Sequence, residues 1–405
     1  MPWTSSPELE LEPTRRRLIE AGSLALLLQA CKGASVPGRP DETGRSDPGE
    51  TGDTADGGCL DPFADGELLD VLPFENDGSL PTETRLEEGL DGRYAIDLML
   101  LDESESSPVI ETDRFFIRTF EPTLDRTQSW VLRLRGFGED EDLGLDDLPA
   151  STDFGAHLIE CSGNSAERAF GLISAATWQG VALSGLLPEG EGLIEVRGVD
   201  EHEASSSHST EGCSWIFRRE DLDEAFLATG MNGEELPPDH GKPLRLMVPN
   251  WYGCSLVKWV DRIRLVEADV AATSQMIEFA SRTHQNGTPA KASDYAPARM
   301  QVAAMPIRVE RWQVDGQDLY RVIGVVWGGD EPVTALQIRF GSGSWDDVVI
   351  CPETTDNPTW HVWVHAWRPA ASGDVDIVLR VDADVPQVRL DSGFYLRTVR
   401  IDATG

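Results

Sequence analysis

Residues 159–180 read IECSGNSAERAFGLISAATWQG, and the fold turns on how this stretch is understood. An apolar lead, Ala156-His157-Leu158-Ile159, delivers Cys161 to a turn of small residues, Ser162-Gly163-Asn164-Ser165. A helix-like segment is expected from Ala166. By default a cysteine is a small apolar core residue. A thiol at the mouth of a sharp turn asks for a further reason, and the rest of the chain supplies one.

The chain has 405 residues, long enough for two or three domains, and 40% of them are hydrophobic, with 12 Trp. The formal net charge is −37. Such a surface repels nucleic acid and anionic membranes, so neither is expected as a partner. Lysine occurs only at Lys32, Lys242, Lys258 and Lys291; almost every cation is an arginine.

The first thirty residues read as a processing signal. Thr14-Arg15-Arg16-Arg17-Leu18-Ile19 has the arginine pair of a twin-arginine signal. The apolar run Ser23–Ala30 is too short to span a bilayer and ends at Cys31, as at a lipoprotein signal-peptidase site. Residues 32–58 are Gly, Pro, Asp, Glu, Ser and Thr with almost no apolar content, so a flexible tether is expected there. The expected location is the periplasm or cell envelope, with membrane attachment only through a lipid on Cys31. Of the six cysteines, setting aside Cys31 and Cys161 leaves Cys59, Cys213, Cys254 and Cys351, for which three pairings or free thiols stay open. No haem-attachment motif and no paired C-x-x-C metal site occurs.

From about residue 85 to 290, strand-like runs are expected to alternate with helices and polar loops. WVLRLRGFG at 130–138 alternates apolar and charged residues as a half-buried strand does, and GLIEVRGVD and KPLRLMVP are further strands. From about 295 the pattern becomes strand after strand. DLYRVIGVVWGG, VTALQIRFG, TWHVWVHAW and GDVDIVLRVDA are split by Gly, Asp and Pro turns, the spacing of a small antiparallel sandwich.

Five stretches, in order, resemble the sulfite oxidase family of molybdenum enzymes, without the cytochrome b5 domain of its animal members. FFIRTFEP (115–122) resembles the F-x-R-N-H segment and ECSGNS (160–165) the C-x-G-N turn. ATWQGVALSGLL (176–187) resembles A-x-W-x-G-x-x-L-x-x-x-L. GMNGEELPPDHGKPLRLMVPNWYGCSLVKWVDRI (230–263) and VVWGGDEPVTALQIRFGSGSW (325–345) complete the series. The resemblance implies an α+β chain: a mixed α/β molybdopterin-binding domain at 85–290, then an Ig-like β-sandwich dimerisation domain at 295–403. Residues 1–31 are read as signal, and 32–84 as disordered acidic linker and lead-in.

The implied cofactor is molybdenum-molybdopterin, with Cys161 as the metal's protein ligand, since a metal held by a dithiolene takes a further soft thiolate. A turn leading into a helix favours that thiolate, and Gly163 lets the backbone pass close to the metal. Phe116, Arg118, Thr119, Asp200, His240, Arg245, Leu256 and Lys258 stand at the family's cofactor-binding positions. Arg118 would also orient a small anionic substrate. Electrons would leave to an external acceptor such as a c-type cytochrome, and a homodimer is expected.

The chain departs from the pattern on the substrate side. Ala166 stands where a second arginine is expected, and Thr119-Phe120 replaces the Asn-His of F-x-R-N-H. Counting without gaps from Trp259 puts Phe279 where the family has a tyrosine near the metal oxo. Arg168, Arg282 and His284 are the nearby residues able to compensate for the lost cation. The function expected is oxygen-atom transfer on a small sulfur oxyanion such as sulfite. The alternatives are the same cofactor acting on a sulfoxide, thio-compound or nitrogen oxyanion, or a catalytically silent surface lipoprotein.

Overall fold

The computed structural model describes residues 62–402 apart from 76–79, 88–91, 103, 126, 189, 201–212, 351–356 and 382–395. The signal, the tether and Cys31, Cys59 and Cys351 lie outside the described residues.

Strands dominate, because the apolar residues recur with a period of two or in short runs. In Val131–Arg135 the two leucines, Leu132 and Leu134, are buried while valine and arginines face outward. This strand lies in a five-stranded mixed sheet ordered Ser214–Arg218, Leu193–Gly198, Val260–Val266, Val131–Arg135, Glu141–Gly144. Val260–Val266 pairs with Val131–Arg135 in parallel and with Leu193–Gly198 antiparallel. A second sheet joins Thr152–Glu160, Ile173–Ala182, Phe226–Met231 and Glu234–Glu235, with Arg245–Met247 paired to Phe226–Met231. A small third sheet holds Arg85–Leu86, Arg93–Tyr94 and Ile117–Arg118.

The expected alternation with helices is not what forms. The described residues between 85 and 290 contain one α-helix, Ser274–Phe279, and otherwise only 3-10 turns. The segment after Cys161 is a single 3-10 turn, Ala166–Arg168, ended by Ala169 and Phe170, both at positive φ. The strand Ile173–Ala182 follows at once, so its pairing with Thr152–Glu160, not helix propensity, sets the path between them.

Beyond residue 300 two four-stranded antiparallel sheets face each other. One runs Glu67–Leu72, Ala303–Val314, Gln317–Trp327, His361–Trp367; the other Asp346–Val348, Leu336–Phe340, Gly373–Val381, Leu396–Ile401. Val309, Val322, Val326 and Trp363 from the first pack with Leu336, Ile338, Leu379 and Val399 from the second. This is the sandwich the strand spacing implied. Its outer strand, Glu67–Leu72, comes from ahead of residue 85 and pairs antiparallel with Ala303–Val314.

The sandwich and the catalytic part share a core. Ile323, Val325, Trp327 and Trp360 are buried in the same cluster as Leu158, Ile159 and Cys161. Backbone bonds cross the seam: the Leu158 N–H donates to the Pro358 carbonyl at 2.9 Å and the Val362 N–H to Ser106 at 2.8 Å. Trp327 reaches furthest. Its indole Nε1 donates to Glu160 Oε2 at 2.9 Å, and Glu160 is fully buried one residue before Cys161.

Candidate active site

Cys161 follows directly on the last residue of its strand, and its own N–H donates to the Leu172 carbonyl at 2.9 Å. The turn is then closed on itself. The Asn164 N–H donates to the Cys161 carbonyl at 2.8 Å, and Asn164 Oδ1 accepts from the Leu172 N–H at 3.1 Å. Both backbone groups of Cys161 are therefore occupied, and only its sulfur is free to bind. The Gly163 N–H points at Sγ from 3.4 Å. With no α-helix following, that N–H is the backbone group that faces the sulfur in place of a helix dipole.

Gly163 also leaves a space. A Cβ built there would meet Arg282 Nη1 at 3.3 Å and Cys161 Sγ at 3.8 Å. The thiol and a guanidinium thus border one cradle, kept open because residue 163 has no side chain. Arg282 follows the helix Ser274–Phe279, which Thr273 caps by accepting the Met276 N–H, and its guanidinium lies over the Phe279 ring at 5.4 Å. Cys254, fully enclosed, has Cys161 and Arg282 as electrostatic neighbours, and burial pushes its thiol up to about 12. Cys213 is likewise pushed well up by burial. Cys161, Cys213 and Cys254 are all free thiols.

The residues expected to hold the pterin's phosphate come together around Lys258. Lys258 Nζ donates to three carbonyls, Arg118 at 3.2 Å, Asp239 at 2.8 Å and Thr119. Thr119 takes φ +74°, and that backbone turns its carbonyl inward at some cost in strain. Arg245 is buried, donates from Nη1 to the His240 carbonyl at 3.3 Å, and lies over the Trp178 ring at 5.6 Å. Its Nε is buried without a partner. His240 is buried with its ring edge-on to Phe115, 5.3 Å between centroids. Phe116 stacks on Phe115 and donates its N–H to Ser174 Oγ at 3.1 Å. Asp200 is buried and accepts the Cys213 N–H at 2.8 Å; Leu256 is buried two residues before Lys258.

Lys258, Arg245 and His240 crowd together here, and burial opposes a positive charge on each. Burial pushes Lys258 down to about 7, with Arg245 adding to the effect. Burial holds Arg245 down to about 10. Burial, then Arg245 and Lys258, bring His240 to about 3, so its ring is neutral. A multiply charged anion beside Lys258 and Arg245 would favour the charged form of both. A cleft of about 960 Å³ has His240 in its lining, but Glu111, Asp113, Glu121 and Asp239 line it too, with Arg85 tied to Asp239 at 2.8 Å. That lining repels phosphate.

The other two expected helpers are His284 and Arg168. His284 Nε2 meets the Tyr252 hydroxyl at 3.3 Å, and the Arg168 side chain lies outside the described set. Cys254 and Gln275, whose Nε2 donates to the Cys254 carbonyl, line the stretch between thiol and cations. Neither was singled out from sequence as a site residue. Cys254 lay within a matched motif but was set aside as a disulfide candidate, and Gln275 carries no signal of its own.

Residues 120–274 match the family model described as oxidoreductase molybdopterin binding domain. The mitochondrial sulfite oxidase of Rattus norvegicus is 25% identical over 292 residues, covering 63% of this chain and 52% of that protein. The NADPH nitrate reductase of Mycosarcoma maydis is 27% identical over 182 residues, 36% of this chain and 18% of its own. The chain thus spans about half the length of the sulfite oxidases it matches. In structure, the sulfane dehydrogenase SoxCD of Paracoccus pantotrophus superposes with a TM-score of 0.56 at 15% identity, over 87% of this chain and 96% of that one.

The residues present fit Mo-molybdopterin. Among the described residues no group of three His, Cys, Asp or Glu is placed to hold a metal ion, whereas molybdopterin carries a metal on ligands of its own. A dithiolene does so and leaves one thiolate to the protein, which Cys161 can supply. The unpartnered Arg245 Nε and the crowded cations beside it call for an anion of phosphate type. With the molybdopterin-binding domain model matched at residues 120–274 and sulfite oxidases among its relatives, the chain is similar to the sulfite oxidase family of molybdopterin-dependent oxidoreductases.

Proposed function

We propose that the protein oxidises a small sulfur oxyanion such as sulfite by oxygen-atom transfer, passing electrons to an external acceptor. The observation that carries the reading is the site's polarity: one free thiol at an open, cation-bordered cradle, and a buried cation cluster around Lys258. When bound, Mo-molybdopterin supplies the two-electron chemistry. Cys161 is its protein ligand. Lys258, Arg245 and neutral His240 receive the phosphate end, while Asp200 accepts from the pterin's amino groups. Phe116, Thr119 and Leu256 would join them in holding the cofactor. Arg118 orients the anionic substrate.

A nitrogen oxyanion is the second reading, favoured by the nitrate reductases among the relatives. The twin-arginine signal would carry the protein, folded and loaded, to the periplasm, with Cys31 as a lipid anchor. There it would act as a homodimer and reduce an acceptor such as a c-type cytochrome.

The test is molybdenum and pterin analysis of the exported protein, followed by turnover of sulfite and nitrate with an added one-electron carrier. Stoichiometric molybdenum and sulfite oxidation are expected. A natively exported protein without molybdenum, or a molybdenum protein inert toward sulfite, would sink the reading.

A further inference from the structure

We infer that Arg282, carried on the ring of Phe279, is the residue that selects an anionic substrate at the Cys161 cradle. The inference rests on the oxyanion reading above and adds the source of the selecting charge.

Three observations converge on it. The first is position. Arg282 Nη1 and Cys161 Sγ border the same empty point over Gly163, at 3.3 Å and 3.8 Å. A small molecule that reaches the sulfur's open side meets the guanidinium as well. The second is that the charge is unspent. The chain has 71 acidic against 34 basic side chains, yet among the described residues Arg282 forms no salt bridge. Its guanidinium lies instead over the face of Phe279 at 5.4 Å. The third is accessibility: Arg282 is exposed while Cys161 is 8% exposed. The guanidinium therefore stands on the entry side and the sulfur at the floor.

Phe279 has a part in this geometry. An aromatic face attracts a cation without neutralising it. A carboxylate in its place would fix the arginine equally well but cancel the charge the anion needs. The two departures at the substrate side, Ala166 and Phe279, then belong together. The cation absent at 166 enters from 282, and the ring at 279 is its shelf. A planar guanidinium offers two parallel N–H donors to an oxyanion, which an ammonium cannot.

The experiment uses the molybdenum-loaded enzyme and sulfate, a non-reacting dianion, as probe. Sulfate affinity is measured by calorimetry, and sulfite kinetics alongside, for wild type, Arg282→Ala, Arg282→Lys and Gly163→Ala. Arg282→Ala should keep its molybdenum and weaken sulfate by about tenfold or more, as expected for loss of a charge-assisted contact. The sulfite KM should rise by a similar factor with a smaller change in kcat, and added guanidinium should recover part of the loss. Arg282→Lys should fall between. Gly163→Ala keeps the arginine but puts a methyl in the cradle, and should also weaken sulfate. Wild-type sulfate affinity in both the alanine variants, or loss of molybdenum from Arg282→Ala, would overturn the assignment. A wild type that binds sulfate through Arg282 but does not oxidise sulfite would leave the assignment standing and overturn the sulfite reading.

Discussion

Replacing Trp327 with phenylalanine removes one indole N–H from a fully buried carboxyl and leaves most of the ring in place. That N–H reaches Glu160 Oε2 at 2.9 Å, whereas Asn164 Nδ2 approaches the other oxygen only at 3.5 Å. Taking a good donor from a buried acceptor costs about 1–3 kcal/mol, and the smaller ring adds a packing loss of similar sign. Unfolding entropy of about 2 cal/mol/K per residue makes each kcal/mol worth roughly 1–2 °C in a unit of this size, so Tm should fall by about 2–5 °C. The effect should also appear at the metal. Glu160 adjoins Cys161 and contacts Asn164, which closes the turn, so the molybdenum(V) resonance of Trp327→Phe should shift from wild type while molybdenum content stays near full. Thermal melting and paramagnetic resonance on the same holoprotein decide it. A Tm within 1 °C of wild type together with an unshifted spectrum would show that the sandwich does not brace the metal turn through this bond.

Cys161→Ser should fold and export yet lose activity, because a serine oxygen is a harder donor; full turnover with molybdenum bound would remove the metal-ligand role. The apoprotein should gain stability as pH climbs from about 7 toward 10.5, since between those values the unfolded chain holds the proton that folded Lys258 has released. A phosphate beside Lys258 restores its charge, so the rise should flatten in the holoprotein; equal slopes of urea midpoint against pH in the two forms would contradict the phosphate site. Lysine at both Arg15 and Arg16 should strand the protein in the cytoplasm, and normal periplasmic holoprotein from that variant would show the export reading to be mistaken.

Much of the site was legible because its chemistry is local. The turn around Cys161 and the run from His240 to Lys258 each carry several candidate residues within a few positions, and the structure brings together His240, Arg245, Lys258, Thr119 and Arg118, which the resemblance singled out. The segment from Ala166 misled, since its helix-favouring residues suggest a helix start. Pairing of Thr152–Glu160 with Ile173–Ala182 leaves room only for a tight loop, and tertiary constraint overrode propensity. Arg282 was one of three candidates because sequence gives no distance across a fold. Only the cradle over Gly163 separates it from His284. Glu160 and Trp327, which stand 167 residues apart, left no trace in either segment alone.

The strand Glu67–Leu72 has a practical consequence for anyone shortening this chain. A protein trimmed to start at residue 85 would keep the whole molybdopterin-binding match, yet would strip the outer strand from a sheet whose next member runs Ala303–Val314. The uncovered edge would offer open backbone donors and acceptors to a neighbouring molecule, and Phe63, which packs on Trp312 at 5.7 Å, would be gone as well. Precipitation of such a shortened chain would then report a broken seal, not a failed active site. The safe place to cut lies ahead of Phe63.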